Sequence, residues 1–313
     1  MFVEKLLKKN RIPREQFKYA AVTILLWVFI IISVSDYLKR ELEYHTTVPK
    51  ILHKTTKVLS SDDIQGSFYK ECEAMYIKDG WEVKLWYDDD IDLFMLEHFP
   101  YFYDDFKEIT PKIKQVDAVR YLFMYRFGGI YNDMDSECIR PATNFINGIE
   151  KGSTAWLAGY PEPFFLMSTP GNEFWIFAFK LILQDWKKYN VRSTGGPQGL
   201  NRMAKAYVAT MGQDSIRPFV MHNQIECDLI EPKGDVVCGD PTFRWIEAKE
   251  QFVKSTHEII HKIGFIPNKL VDPTTCLSRI GSCKKSHCHD RLVVQSSLFV
   301  HHCLFSWKSQ ANG

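Results

Sequence analysis

The sequence predicts an α/β domain with a mostly parallel central sheet, preceded by one membrane-spanning helix. Three observations carry this expectation. Short apolar runs alternate with amphipathic stretches from Val48 to Asp135, the pattern of strands joined by crossover helices. Between Tyr19 and Ser35 the chain is apolar apart from Thr23 and Ser33. Gly128-Gly129 then separates a helical stretch from a strand-like one that ends in two aspartates.

The apolar run comes first in the chain. A helix needs roughly 17–25 residues to cross a bilayer, so residues 19–35 suffice at the short end of that range. No polar face remains, which argues against a half-buried soluble helix. Lys5, Lys8, Lys9, Arg11, Arg14 and Lys18 precede the run against Glu4 and Glu15, whereas Asp36, Glu41 and Glu43 offset Lys39 and Arg40 after it. That asymmetry keeps the leading side in the cytosol. The expected organisation is a cytosolic tail (1–18), a signal anchor (19–35), a short stem (36–47) and a luminal domain (48–313). A cleaved signal peptide with Ser33-Val34-Ser35 as its cleavage site is the competing reading; the long basic leader and long apolar run argue against it. Eight cysteines agree with an oxidising lumen and leave their pairing open.

Within the luminal domain, Lys50-Ile51-Leu52-His53 after Pro49 reads as a buried strand. Ser67 to Asp79 reads as a helix with Phe68, Cys72, Met75 and Tyr76 on one side, ended by Gly80. Glu82 to Tyr87 is a second strand, and Asp88 to Asp90 offer caps for a helix carrying Leu93, Phe94 and Leu96. A third helix runs from about Lys112 to Phe127 and stops at Gly128-Gly129. Ile130 to Asp135 follows as a strand end, and ligands of such sheets bind beyond the C-terminal ends of the strands.

Lys+Arg of 39 against Asp+Glu of 38 leaves a formal charge of +1. A balance this even gives no electrostatic ground for a nucleic-acid partner. The chemistry gathers instead in the stretch from Val116 to Asp135. Asp117 and Arg120 lie three apart on a helix and share a face. Asp133 and Asp135 lie two apart and, in a strand, point the same way. Paired carboxylates repel unless a cation stands beside them, and oxygen donors favour a hard divalent ion such as Mg²⁺ or Mn²⁺, which also grips a diphosphate. An isolated Asp-x-Asp is commonly a solvated turn, and Asp117–Arg120 could be a plain intrahelical ion pair. The combination of buried-looking helix, Gly-Gly turn and apolar strand is far more specific.

This block resembles glycosyltransferase family 32, the DXD-containing sugar transferases, which include α-1,6-mannosyltransferases and inositol phosphorylceramide mannosyltransferases. The resemblance runs from Val48 to roughly Leu200. It includes Val48-Pro49-Lys50-Ile51-Leu52-His53, Trp86-Tyr87-Asp88 and Ser193-Thr194-Gly195-Gly196-Pro197, and it returns at His301-His302 and Ser306-Trp307. It implies a GT-A-type nucleotide-sugar-binding domain, Mn²⁺ (or Mg²⁺) and transfer with retention, which makes residues 48–313 the catalytic domain. By resemblance, Asp117 and Arg120 hold hydroxyls of the donor sugar, and Tyr131 and Asp133 face the ribose and the sugar. Asp135 binds the metal with Asp133 beside it, His301 or His302 with Ser306 completes the metal and diphosphate site, and Trp307 donates to a phosphate. Asp133, Asp135 and Arg120 are then the catalytic group. The implied donor is GDP-mannose, with UDP-galactose and UDP-glucose open. The acceptor is a glycan or glycolipid, and the location a Golgi (or ER) membrane.

Two departures stand out. The family's opening strand commonly continues His-Gln-Thr-Trp, where this chain has His53-Lys54-Thr55-Thr56, which leaves the nucleotide base open. The Thr-Gly-Pro loop carries one extra glycine at Gly195-Gly196. Other readings fit less well. An Asp-x-Asp phosphatase normally has Thr or Val two residues after the second Asp, and Ser136-Glu137 follows here. A non-catalytic binding member is opposed by the intact Asp117, Arg120, Asp133 and Asp135. Cys283, His287, Cys288, His289, His301, His302 and Cys303 match no zinc-finger or ribbon spacing.

Overall fold

The structure is a computed structural model that describes residues 14–57, 69–149, 151–158, 161–217, 261–266 and 298–301. The chain divides into two compact units, one ending at Tyr44 and the other starting at His45. The first is the long helix α1 (Arg14–Thr46), which continues into the second at its last residues. Its large apolar side chains from Val22 to Val34 are exposed. The segment Val22–Thr46 is long and apolar enough to cross a membrane. The expected stem is therefore helical as far as Thr46. It rises about 1.5 Å per residue rather than the 3.3–3.6 Å of an extended chain.

The second unit alternates strands and helices. In order these are β1 (Ile51–Thr55), α2 (Tyr69–Lys78), β2 (Glu82–Trp86), α3 (Asp88–His98), α4 (Tyr103–Glu108) and α5 (Lys112–Arg126). Next come β3 (Gly129–Asn132), β4 (Ser136–Cys138), α6 (Thr143–Gly148), β5 (Thr154–Ala158), β6 (Phe165–Ser168) and α7 (Glu173–Asp185). The remainder are α8 (Val191–Thr194), α9 (Pro197–Met211), β7 (Ile216–Arg217), β8 (Lys262–Ile266) and β9 (Phe299–His301). Among the described residues, seven strands form one sheet in the order β2-β1-β3-β6-β5-β8-β7, and β4 pairs with β9 separately.

The sheet is mostly parallel, as expected. β1 runs parallel to β2 and β3, and β8 runs parallel to β5 and β7. The exception is β6, antiparallel to both β3 and β5. The link from β5 to β6 is too short for the crossover a parallel pair needs, so the chain folds straight back. Side chains alternate between faces along these strands. Tyr131, Ala155, Leu157 and Leu166 enter a core beneath α3, α5, α7 and α9. Ile130, Trp156, Phe165 and Met167 enter a second core with α2 and α6. Helices thus cover both faces, which is why the strands read as continuous apolar runs.

Several local expectations hold. In α2, Tyr69, Cys72 and Tyr76 are buried, and Gly80 takes φ +79° after the helix. At the start of α3, the Tyr87 amide donates to the Asp90 carboxylate at 3.0 Å, an N-terminal cap. One expectation is corrected. Asp133 and Asp135 do not lie in a strand, because β3 ends at Asn132. The Asp133 amide donates to the Phe164 carbonyl at 3.0 Å, and the Ser136 amide closes a turn on the Asp133 carbonyl at 3.1 Å. These bonds turn the chain out of the sheet towards β4. Strand alternation therefore no longer fixes the direction of the two carboxylates.

Candidate donor-sugar site

Gly128 and Gly129 set the geometry. Helix α5 ends with the Gly128 amide on the Met124 carbonyl, and both glycines take positive φ, +65° and +86°. A side chain at Gly129 would run into the Ile51 carbonyl, so only glycine lets β3 lie against β1 here. The C-terminal ends of β1 and β3 then stand side by side above α5.

Four of the predicted residues, Asp117, Arg120, Tyr131 and Asp133, meet at that rim. Arg120 meets Asp117 at 2.9 Å and Asp133 at 3.3 Å. It also donates to the Pro163 carbonyl at 2.9 Å, and its guanidinium stacks 4.7 Å from the Tyr131 ring centre. The Tyr131 hydroxyl donates to the same Asp133 oxygen at 2.7 Å, which leaves its lone pairs to accept from Thr55 at 2.9 Å. Exposure is graded. Side chains of Arg120 and Asp117 are 5% and 7% exposed, whereas Asp133 is 27% exposed. The inner pair is fixed, and Asp133 brings the cluster to the surface.

Burial shapes the charges. It pushes the Asp117 carboxyl up to about 6, with Arg120 pulling the other way. Burial also works against charge on Arg120, but Tyr131, Asp133 and Asp117 outweigh it and the guanidinium stays cationic. The Tyr131 phenol is raised by burial and remains protonated.

Sequence reasoning missed the residues that hold this cluster. Lys54 is fully buried and donates to the Asn132 side chain at 2.8 Å and to the Asp133 carbonyl at 3.0 Å. Burial lowers it to about 7 while Asp133 and Asp135 oppose the shift, so Asp135 lies within electrostatic reach. A lysine amid a buried apolar strand was the available signal, because such a charge needs partners. Gly195, read only as an extra residue, packs directly against Asp117, and its carbonyl accepts from the Tyr121 hydroxyl at 2.7 Å. Lys114, one turn before Asp117, donates to the Trp186 and Tyr189 carbonyls at 2.8 and 2.7 Å, fastening the loop between α7 and α8.

The expected metal set is only partly described. Asp133 and Asp135 offer hard oxygen donors, the chemistry that suits Mg²⁺ or Mn²⁺. Asp133 receives Arg120 and Tyr131 on one oxygen. The backbone of His301 pairs with Ser136, beside Asp135. His302, Ser306 and Trp307 lie outside the described residues, as do all cysteines except Cys72 and Cys138. Among the described residues, no three His, Cys, Asp or Glu side chains gather as a metal cluster.

Comparisons with known proteins cover the segment that bears these residues. Residues 65–155 match the family described as the glycosyltransferase sugar-binding region containing the DXD motif. An inositol phosphoceramide mannosyltransferase of Schizosaccharomyces pombe is 29% identical over 135 residues, 40% of this chain and 42% of that protein. A mannosyl phosphorylinositol ceramide synthase of Saccharomyces cerevisiae is 28% identical over 171 residues, 51% of this chain and 42% of that protein. The chain thus spans less than half the length of these relatives. The glycosyltransferase PaToxG aligns with a TM-score of 0.37 and 15% identity, over 56% of this chain and 77% of that one. The resemblance to DXD-containing sugar transferases holds across the block that bears Asp117, Arg120, Asp133 and Asp135.

Proposed function

We propose that this chain is a retaining, metal-dependent glycosyltransferase that moves a hexose, mannose first, from a nucleotide sugar to a membrane glycolipid. The observation that carries this reading is the Asp117–Arg120–Asp133–Tyr131 cluster at the C-terminal ends of β1 and β3. Arg120 and Asp117 bind sugar hydroxyls as one buried donor–acceptor unit. Asp133, held by Arg120 and Tyr131, fixes a further hydroxyl, and orientation of this kind accounts for part of the rate. Asp135 would hold the divalent ion, Mn²⁺ or Mg²⁺, and the resemblance assigns it His301 or His302 and Ser306 as further ligands. When bound, such an ion stabilises the charge that grows on the departing diphosphate. Trp307, by the sequence resemblance, would donate its indole N–H to that diphosphate and so stabilise the leaving group.

The acceptor and the location belong to the same proposal. A glycolipid bearing an inositol phosphate headgroup suits both the named relatives and the candidate span in α1. We place the domain in the Golgi lumen as a single-pass type II protein.

The test is a donor screen on the full chain in detergent with Mn²⁺, measuring release of nucleoside diphosphate. GDP-mannose is expected to turn over fastest, ahead of UDP-galactose and UDP-glucose. Failure with every common nucleotide sugar sinks the proposal. Asp135→Ala is expected to lower kcat by at least about 100-fold. Its unfolding free energy should stay within about 1 kcal/mol of the parent, as for a half-buried turn residue. Parent-like turnover by that variant in saturating Mn²⁺ would remove the role given to Asp135.

A further inference from the structure

The turn that carries Asp133 and Asp135 is held from two sides. On one, the Phe164 carbonyl accepts from the Asp133 amide at 3.0 Å and from the Asn132 side chain at 3.4 Å. On the other stands Lys54, near the end of β1. Its ammonium group bridges the Asn132 side-chain oxygen at 2.8 Å and the Asp133 carbonyl at 3.0 Å. The Asp133 carbonyl also accepts from the Ser136 amide at 3.1 Å, so both its lone pairs are used. Lys54 and Asn132 are fully buried. No solvent molecule can replace these bonds without opening the rim of the sheet.

We propose that Lys54 is a positioning residue of the donor site: it locks the turn after β3 to β1 and thereby aims the Asp133 carboxylate at Arg120 and Tyr131. This deepens the functional reading above and rests on it for its kinetic consequence. Glutamine carries two amide N–H donors on a side chain one atom shorter and offers them to the same two acceptors. Methionine keeps the unbranched apolar stem of lysine, one atom shorter, and donates nothing. The position is thus a device for holding the turn, with two chemical solutions and a clear negative control.

The experiment compares the full chain with Lys54→Met and Lys54→Gln, in detergent, by two independent readouts. The first is amide hydrogen exchange, which needs no turnover. In Lys54→Met the Asp133 and Ser136 amides are expected to exchange at least about 10-fold faster, while the β1–β2 amides stay within about twofold. The second is kinetics with the donor found in the screen. Lys54→Met is expected to lose about 10- to 100-fold in kcat, the scale of a small misplacement of a reacting group, while its Kd for the nucleoside diphosphate with Mn²⁺ stays within about threefold. Lys54→Gln should retain kcat within about threefold of the parent if its amide restores both bonds. Unchanged exchange at Asp133 and Ser136 in Lys54→Met overturns the proposal, as does acceleration spread evenly across the sheet. Equal losses in kcat and diphosphate affinity overturn it too, since they mark general loosening. A parent chain inert with every nucleotide sugar removes the functional reading instead, and the exchange pattern still decides the role of Lys54.

Discussion

His53 shows how a single buried side chain is decided by its neighbours. Its Nδ1 faces the Trp86 indole N–H at 3.1 Å, and its Nε2 faces the Gly128 carbonyl at 3.0 Å. An indole only donates and a carbonyl only accepts, so the proton must sit on Nε2 and the ring must be neutral. Burial first, then the charge of Lys84, hold it down to about 3 against the pull of the Gly128 carbonyl. In the unfolded chain the ring binds its proton near 6.5. Below that pH the unfolded state takes up a proton that the folded state refuses. The His53 contribution is therefore complete above pH 6.5 and drains away towards pH 3, at up to about 1.4 kcal/mol per pH unit. Denaturant titrations from pH 7 to pH 4 should show this slope in the parent and a shallower one in His53→Asn. Identical slopes would rule the mechanism out. Arg120 makes the opposite case, a charge that must be kept. Replacing it by Met leaves Asp117 buried without its partner, which is expected to cost about 3–5 kcal/mol. Adding Asp117→Asn should recover part of the loss, and a double-mutant cycle by chemical denaturation measures that recovery.

At the scale of elements, the junction of α5 and β3 decides where the site forms. Helix α5 supplies Asp117 and Arg120, β3 delivers Tyr131, and two glycines make the reversal between them. Two positive-φ glycines permit a controlled comparison. An alanine side chain at Gly80 would meet nothing within 4 Å, whereas at Gly129 it would strike the Ile51 carbonyl. Gly80→Ala should therefore cost only the left-handed strain, about 1–2 kcal/mol. Gly129→Ala adds a clash that pushes β3 off β1, so its unfolding midpoint should fall further and donor binding should weaken with it. Equal midpoints for the two variants would show that the β1–β3 contact is not what demands glycine. Much at this scale was legible beforehand, because helix and strand periodicities are written in neighbouring residues. The turn at Asp133 was not. It depends on bonds to Phe164 and Lys54, far away in the chain.

Across the whole molecule, the core on one face of the sheet is stitched by a bond between distant segments. Cys72 of α2 and Cys138 of β4 form a disulfide across a sequence separation of 66 residues. Closing a loop of that length restricts the unfolded chain by roughly 4 kcal/mol in the entropic account, and engineered cases deliver less. The double variant Cys72→Ala/Cys138→Ala is expected to lose about 2–4 kcal/mol of unfolding free energy under oxidising conditions. The parent should approach the same value once reduced. A parent whose stability ignores reductant would exclude this bond. The bridge sits three residues beyond Asp135, so the oxidised form also restrains the strand that leaves the DXD turn.

The sequence by itself determined the apolar segment able to span a bilayer, the α/β alternation, the limits of α5 and the shared face of Asp117 and Arg120. Each of these follows from side chains within a few turns of one another. Only the tertiary structure decided that β6 runs antiparallel, that Asp133 and Asp135 occupy a turn, that Cys72 pairs with Cys138 and that Lys54 holds the rim. Those outcomes depend on which distant segments share the limited space of a close-packed interior, where every buried polar group must find a partner, and local periodicity does not encode that choice.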